Sequence, residues 1–104
     1  MSKIPNNYQQ HLLQSLKDPD LAVEYLNTAL EEEDEADPTL FLRALKNVAE
    51  AWGFSHLADL TGLDHAGIYR MLSAQGNPRL TSLYTLLDAM GLRIKVVRNL
   101  LLLK

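Results

Sequence analysis

The sequence contains no cysteine. That excludes disulfides, thiolate zinc sites and cysteine nucleophiles, and it fits a reducing compartment. No apolar run reaches the length of a membrane helix, and the polar first residues lack the apolar region of a signal peptide. The expectation is a soluble, cytoplasmic protein with no membrane partner. The histidines, His11, His56 and His65, do not stand at metal-ligand spacing. Gly62, Gly67 and Gly76 are too scattered for a phosphate loop, and no Lys-Ser/Thr follows them. No Ser/His/Asp order stands out, and the carboxylates fall in a run rather than as an isolated pair in apolar surroundings. These absences point away from an enzyme, a metal site and a bound cofactor.

What is present is enough apolar material for one small domain: 104 residues, 47% of them hydrophobic. The net charge of −3 is unevenly spread. Residues 1–37 carry Lys3 and Lys17 against nine acids, a balance of −7, and residues 38–104 carry eight bases against four acids, a balance of +4. A basic half can hold phosphate while an acidic half faces either a basic partner or only solvent.

The stretch from Phe54 to Ser73 organises the rest. Leu57, Ala58, Leu60 and Thr61 recur at one-turn spacing and predict an inward helix face. Gly62 follows, where a chain leaving a helix often needs positive φ. Leu63 is the apolar plug of the turn and Asp64 the N-cap of the next helix. In that helix Ile68, Met71 and Leu72 point inward, which leaves His65, Ala66, Gly67, Tyr69, Arg70 and Ser73 outside. Two short helices around such a turn form the helix-turn-helix unit, whose second helix enters the DNA major groove. An ordinary helical hairpin in an interaction module without DNA binding is the rival reading.

Around this unit the chain divides into an N-terminal helical extension with an acidic run (1–37) and a DNA-binding domain (38–104). Residues 1–7 are expected to fray. Tyr8, Leu12 and Leu16 share one face of a short helix or an extended arm. Asp18-Pro19-Asp20 opens a helix with the stripe Leu21, Ala22, Tyr25, Leu26, Ala29 and Leu30. The acidic run Glu31–Glu35 should end it, because acids oppose the dipole at a C-terminus. Asp37 caps a second amphipathic helix from Pro38, with Leu40, Phe41, Ala44, Leu45, Val48, Ala49 and Trp52 inward, Trp52 as core anchor and Gly53 as stop. After a turn at Ala74–Arg79, Thr81 or Ser82 caps a last helix with Leu83, Leu86, Leu87 and Met90 inward and Gly91 as stop. Arg93–Arg98 alternates apolar and basic residues as a half-buried strand does. Such a strand lacks a partner in its own chain, so Ile94 and Val96 are expected to pair with a second copy in a homodimer. The leucines at 100–103 add to an interface or have no assigned place.

On the recognition helix, Arg70 can contact guanine O6 and N7 in bidentate fashion or bind a phosphate. His65 sits where base contacts concentrate, Ala66 and Gly67 permit close approach, and Tyr69 reaches phosphate or sugar or packs at the core edge. Ser55, Ser73, Asn77 and Arg79 flank the motif as phosphate candidates.

The motif resembles the Cro/repressor-type helix-turn-helix family. Tyr69-Arg70-Met71-Leu72-Ser73, Gly76-Asn77-Pro78-Arg79-Leu80 and Leu86-Leu87-Asp88-Ala89-Met90-Gly91-Leu92-Arg93 narrow the likeness to HigA-type addiction-module antidote proteins, over about Tyr8 to Val97. The resemblance implies an all-α, Cro/repressor-like bundle with an N-terminal helical extension and a short C-terminal dimerising strand. It implies an antitoxin that binds double-stranded operator DNA and neutralises a RelE/ParE-like toxin; a prophage-type transcriptional regulator without a toxin is the alternative. It places base contacts at His65, Ala66, Gly67, Tyr69 and Arg70, although the glutamine usual there is missing and the operator sequence cannot be inferred. Such toxins tend to be basic, so the acidic segment with Tyr25, Leu26 and Leu30 is the expected toxin-binding surface.

Overall fold

The computed structural model describes residues 5–32, 38–73 and 77–98, with side chains from residue 7 onward. Among them are six helices and no strand: α1 (Pro5–Ser15), α2 (Pro19–Glu31), α3 (Thr39–Trp52), α4 (Phe54–Thr61), α5 (His65–Met71) and α6 (Leu80–Ala89). The all-α architecture agrees with the sequence. Glu33–Asp37, Ala74–Gly76 and the tail from Asn99 lie outside the described residues, and with them the acidic run's end, the Asp37 cap and the leucines at 100–103.

α1 is a helix and not an extended arm. Leu16 is buried and Leu12 packs against the core, but Tyr8, placed on the same face, is exposed. α2 starts as expected. The Asp18 carboxylate accepts the Asp20 N–H at 2.9 Å, and Pro19 occupies the first turn, where no N–H is needed. Ala22 and Leu26 are buried, whereas Leu21 and Leu30, at the stripe's two edges, are exposed.

α3 is the central helix, packed against α1, α2 and α4. Covered from more than one side, it buries a sector wider than one stripe: Leu42, Ala44, Leu45, Val48 and Ala49. Leu42 takes the core place expected for Leu40, which is exposed. Trp52 is no core anchor. It is 36% exposed at the C-terminal end of α3 and stacks on His56 with ring centroids 6.1 Å apart. Gly53, at φ 99°, both ends α3 and precedes α4, a backbone that an L side chain would strain.

α6 begins two to three residues earlier than expected. Arg79 stands at the N-cap in extended conformation with no side-chain cap bond, so neither Thr81 nor Ser82 caps it. Its far end is a Schellman motif: Gly91 N–H donates to the Asp88 carbonyl at 3.0 Å and Leu92 N–H to the Leu87 carbonyl at 2.9 Å. Residues 92–98 then run without regular structure, and the alternating segment Arg93–Arg98 forms no strand in the single chain. A strand needs a ladder partner, and the described residues of the chain offer no other strand to supply one.

One cluster of buried residues runs from Leu16, Ala22 and Leu26 through α3 to Leu57, Ile68, Leu72, Leu86, Leu87 and Met90. The N-terminal helices α1 and α2 and the α4–α5 unit therefore share a core.

Candidate nucleic-acid interface

The turn between α4 and α5 is built from local bonds. The Thr61 hydroxyl donates to the Leu57 carbonyl at 2.7 Å and accepts the Leu63 N–H at 3.0 Å. Gly62, in the left-handed region at φ 77°, donates its N–H to Ala58 at 2.9 Å. The Asp64 carboxylate accepts the Gly67 N–H at 3.1 Å, which satisfies one of the orphan donors at the start of α5. Leu57, Ile68 and Leu72 are fully buried and fix how both helices are rotated. Leu60, expected inward, is 53% exposed, because Leu57 and Ala58 already fill the covered side of this two-turn helix.

With Ile68 and Leu72 pointing inward, α5 presents His65, Ala66, Tyr69 and Arg70 to solvent. Phe54, at the start of α4, braces two of them. Its ring meets His65 edge to face at 5.7 Å between centroids and Tyr69 at 6.0 Å. Lys46 of α3 lies over the Tyr69 ring, 4.3 Å from the centroid, and donates to the Tyr69 hydroxyl at 3.2 Å. Tyr69 is thus an exposed, braced residue rather than a core-edge one.

A concavity between α5 and the start of α6 gathers Gly67, Arg70, Asn77, Arg79 and Ser82. The four flanking candidates divide. Asn77 and Arg79 join Arg70 there, Ser73 donates its hydroxyl to the Arg70 carbonyl at 2.8 Å, and Ser55 is exposed on the first turn of α4, away from the concavity. Lys46, Phe54 and Ser82 were not singled out in the sequence for this surface. Lys46 sits 23 positions before Tyr69, and no local spacing signals their approach.

The residues assigned to partner contacts are scattered. Leu26 is buried in the chain's own core and offers no surface to a toxin. The Tyr25 hydroxyl accepts a hydrogen bond from Asn47 at 2.8 Å, and Leu30 remains exposed. Ile94 and Val96 are exposed in the segment after α6, where Ile94 lines a hollow with Tyr84, Asp88 and Leu92. Among the described residues no group of three or more His, Asp or Glu is placed to hold a metal ion, and no helix is long and apolar enough to cross a membrane.

Comparison with known proteins gives one family. A model of the family described as "Probable addiction module antidote protein" matches residues 7–98. A protein of Haemophilus influenzae described as an uncharacterized protein is 32% identical over 75 residues, which covers 72% of this chain and 74% of its own length. No solved structure matches the chain.

Proposed function

The chain belongs to the family of probable addiction module antidote proteins, and on that premise we propose that it is the antitoxin of a type II toxin–antitoxin module, binding its own operator through α4 and α5 and neutralising a RelE/ParE-like toxin. The observation that carries the DNA-binding part is the α4–Gly62–α5 unit. Asp64 caps α5, buried Ile68 and Leu72 set its rotation, and His65, Ala66, Tyr69 and Arg70 share the exposed face. A short helix held in this way fits the major groove, with the residues of its first turns nearest the base edges. In this reading the unit is of the Cro/repressor and HigA type.

Each residue then has a role set by its chemistry. Arg70 reads guanine with two parallel donors, and His65 and Ala66 meet base edges. Arg79 and Asn77, at the mouth of α6, hold phosphate and fix register without reading sequence. Ser55 supplies a further phosphate contact from α4. One α5 covers only a half-site, so two copies joined through Ile94 and Val96 would set two recognition helices roughly 34 Å apart on a palindrome. Membership of an antidote family implies a toxin partner, and the acidic segment over residues 18–37 supplies the surface for a basic one.

The test has two arms. The purified chain is titrated with the duplex from immediately upstream of its own gene and with a scrambled duplex, and it is co-expressed with the product of the adjacent gene. The proposal expects tighter binding to the upstream duplex and rescue of growth from that product. Operator binding with no toxic neighbour would instead favour a prophage-type regulator, and no duplex binding at low salt would leave a protein-interaction module.

A further inference from the structure

Tyr69 is the one residue of the exposed α5 face whose hydroxyl is held by another helix. Lys46 of α3 reaches it twice: Nζ is 3.2 Å from the hydroxyl oxygen and 4.3 Å from the ring centroid. The direction of that hydrogen bond is fixed by chemistry. A lysine ammonium has three donors and no acceptor, so the phenol oxygen must be the acceptor. The Tyr69 proton is therefore not used toward Lys46. With the ring over α5 and half exposed, that proton is available to an acceptor from outside the protein. The ammonium retains donors of its own beside it. Phe54, edge-on to the ring at 6.0 Å, limits how far the phenol can swing. Two donors of different helices, one of them charged, thus converge on one exposed point next to the recognition helix, with no carboxylate of the described residues bonded to either.

From this convergence we infer that Lys46 and Tyr69 form a composite clamp for a single backbone phosphate of duplex DNA, in which the ammonium supplies charge and the phenol supplies an oriented O–H. The inference rests on the DNA-binding reading of α5 and deepens it. A phosphate oxygen is an acceptor only and carries negative charge, so it matches both donors. A guanine edge also offers two acceptors, but it carries no net charge, so an ammonium beside an oriented O–H gains more from the anionic phosphate. The clamp also ties α3 to the docked duplex, so α5 is seated by a contact outside the helix-turn-helix unit. Phosphate contacts position and carry no sequence information. Tyr69 therefore belongs with the seating residues rather than with the base-reading ones.

The test uses the full chain and its variants Tyr69→Phe, Lys46→Gln and the pair combined. Affinity is measured for the upstream duplex and for a random-sequence duplex across a salt series, with thermal unfolding of each variant alongside. Tyr69→Phe keeps the ring, the Phe54 contact and the stacked ammonium, and loses only the hydroxyl. A hydrogen bond to a charged group is worth enough that each single variant should lose affinity by about tenfold. The loss should be the same on both duplexes. The salt dependence should weaken by about 0.9 in log–log slope for Lys46→Gln and stay unchanged for Tyr69→Phe, because only lysine neutralises charge. Since both groups hold one phosphate, the double variant should lose less than the product of the single losses. Unfolding midpoints should stay near wild type. Unchanged affinity in Tyr69→Phe, or a loss confined to the upstream duplex, overturns the clamp while leaving DNA binding standing. A wild-type chain that binds neither duplex overturns the DNA-binding reading and the clamp together.

Discussion

Asn47 of α3 donates a 2.8 Å hydrogen bond to the hydroxyl of Tyr25 on α2, and its carbonyl oxygen accepts from Gln9 of α1 at 3.3 Å. One amide therefore joins three helices at the partly buried seam between α1, α2 and α3. Tyr25→Phe removes the acceptor and leaves the Asn47 N–H to find water. The expected cost is about 0.5–1.5 kcal/mol in folding free energy, read from the denaturant midpoint at unchanged slope. DNA affinity should not change, because the bond lies away from α5.

Gly67 separates stability from binding. A methyl group added there would sit 3.6 Å from the Asp64 Cβ, an ordinary contact, and the backbone is helical. Gly67→Ala should therefore raise stability by about 0.5–1 kcal/mol through reduced backbone entropy in the unfolded chain. If a duplex lies against this face of α5, the same methyl group obstructs it, so affinity for DNA should fall while the unfolding midpoint rises. A variant that gains both would remove α5 from the interface.

These residues mark what was legible in the sequence. The α4–α5 turn was readable because its signals are local: Gly62 for positive φ, Asp64 for the cap, and Leu57, Ile68 and Leu72 for the buried faces. Helical spacing finds apolar stripes, but it does not tell which flank a neighbouring helix covers. Leu40, Leu60 and Trp52 therefore fit inward stripes by spacing and lie at the surface, Tyr8 shares a face with Leu12 and Leu16 yet is exposed, and Leu42, off the expected stripe, is buried near the start of α3. The Lys46–Tyr69 and Asn47–Tyr25 pairs depend on how α3 meets its neighbours, which no spacing within a helix encodes. The strand expected at Arg93–Arg98 rested on alternation alone, and alternation yields a strand only where a partner supplies the ladder.

Leu26 and Leu30 should respond oppositely. Leu26 is buried among the core residues, so Leu26→Ala should cost about 2–5 kcal/mol and impair every activity. Leu30 is 48% exposed at the end of α2, and Leu30→Lys, whose charge suits a helix C-terminus, should leave folding within about 0.5 kcal/mol of wild type. If α2 docks a toxin, that variant should still bind DNA and fail to rescue growth from the toxin. Deleting residues 1–36 is a poorer probe, since it strips Leu16, Ala22 and Leu26 from the shared core.

Val96 is 91% exposed, so Val96→Asp should leave the single subunit as stable as wild type. A homodimer held by Ile94 and Val96 should split under that substitution. Sedimentation at micromolar concentration should then show a dimer for wild type and a monomer for the variant. Operator affinity should fall with it, because two half-sites no longer bind as one unit. A wild-type monomer that binds the operator at full affinity would contradict the dimer.

The central claim is that the exposed face of α5 reads DNA, and Arg70→Ala tests it most directly. Competition titrations would compare wild type and variant on the upstream duplex and on single-base-pair variants of it, with Arg79→Ala as the phosphate control. If Arg70 pairs with guanine, its loss should cost about 1–3 kcal/mol and abolish the preference at one base pair in each half-site, leaving preferences elsewhere intact. Arg79→Ala should weaken binding to all of these duplexes alike. An Arg70→Ala variant that retains full affinity and every base preference of the wild type would contradict the claim.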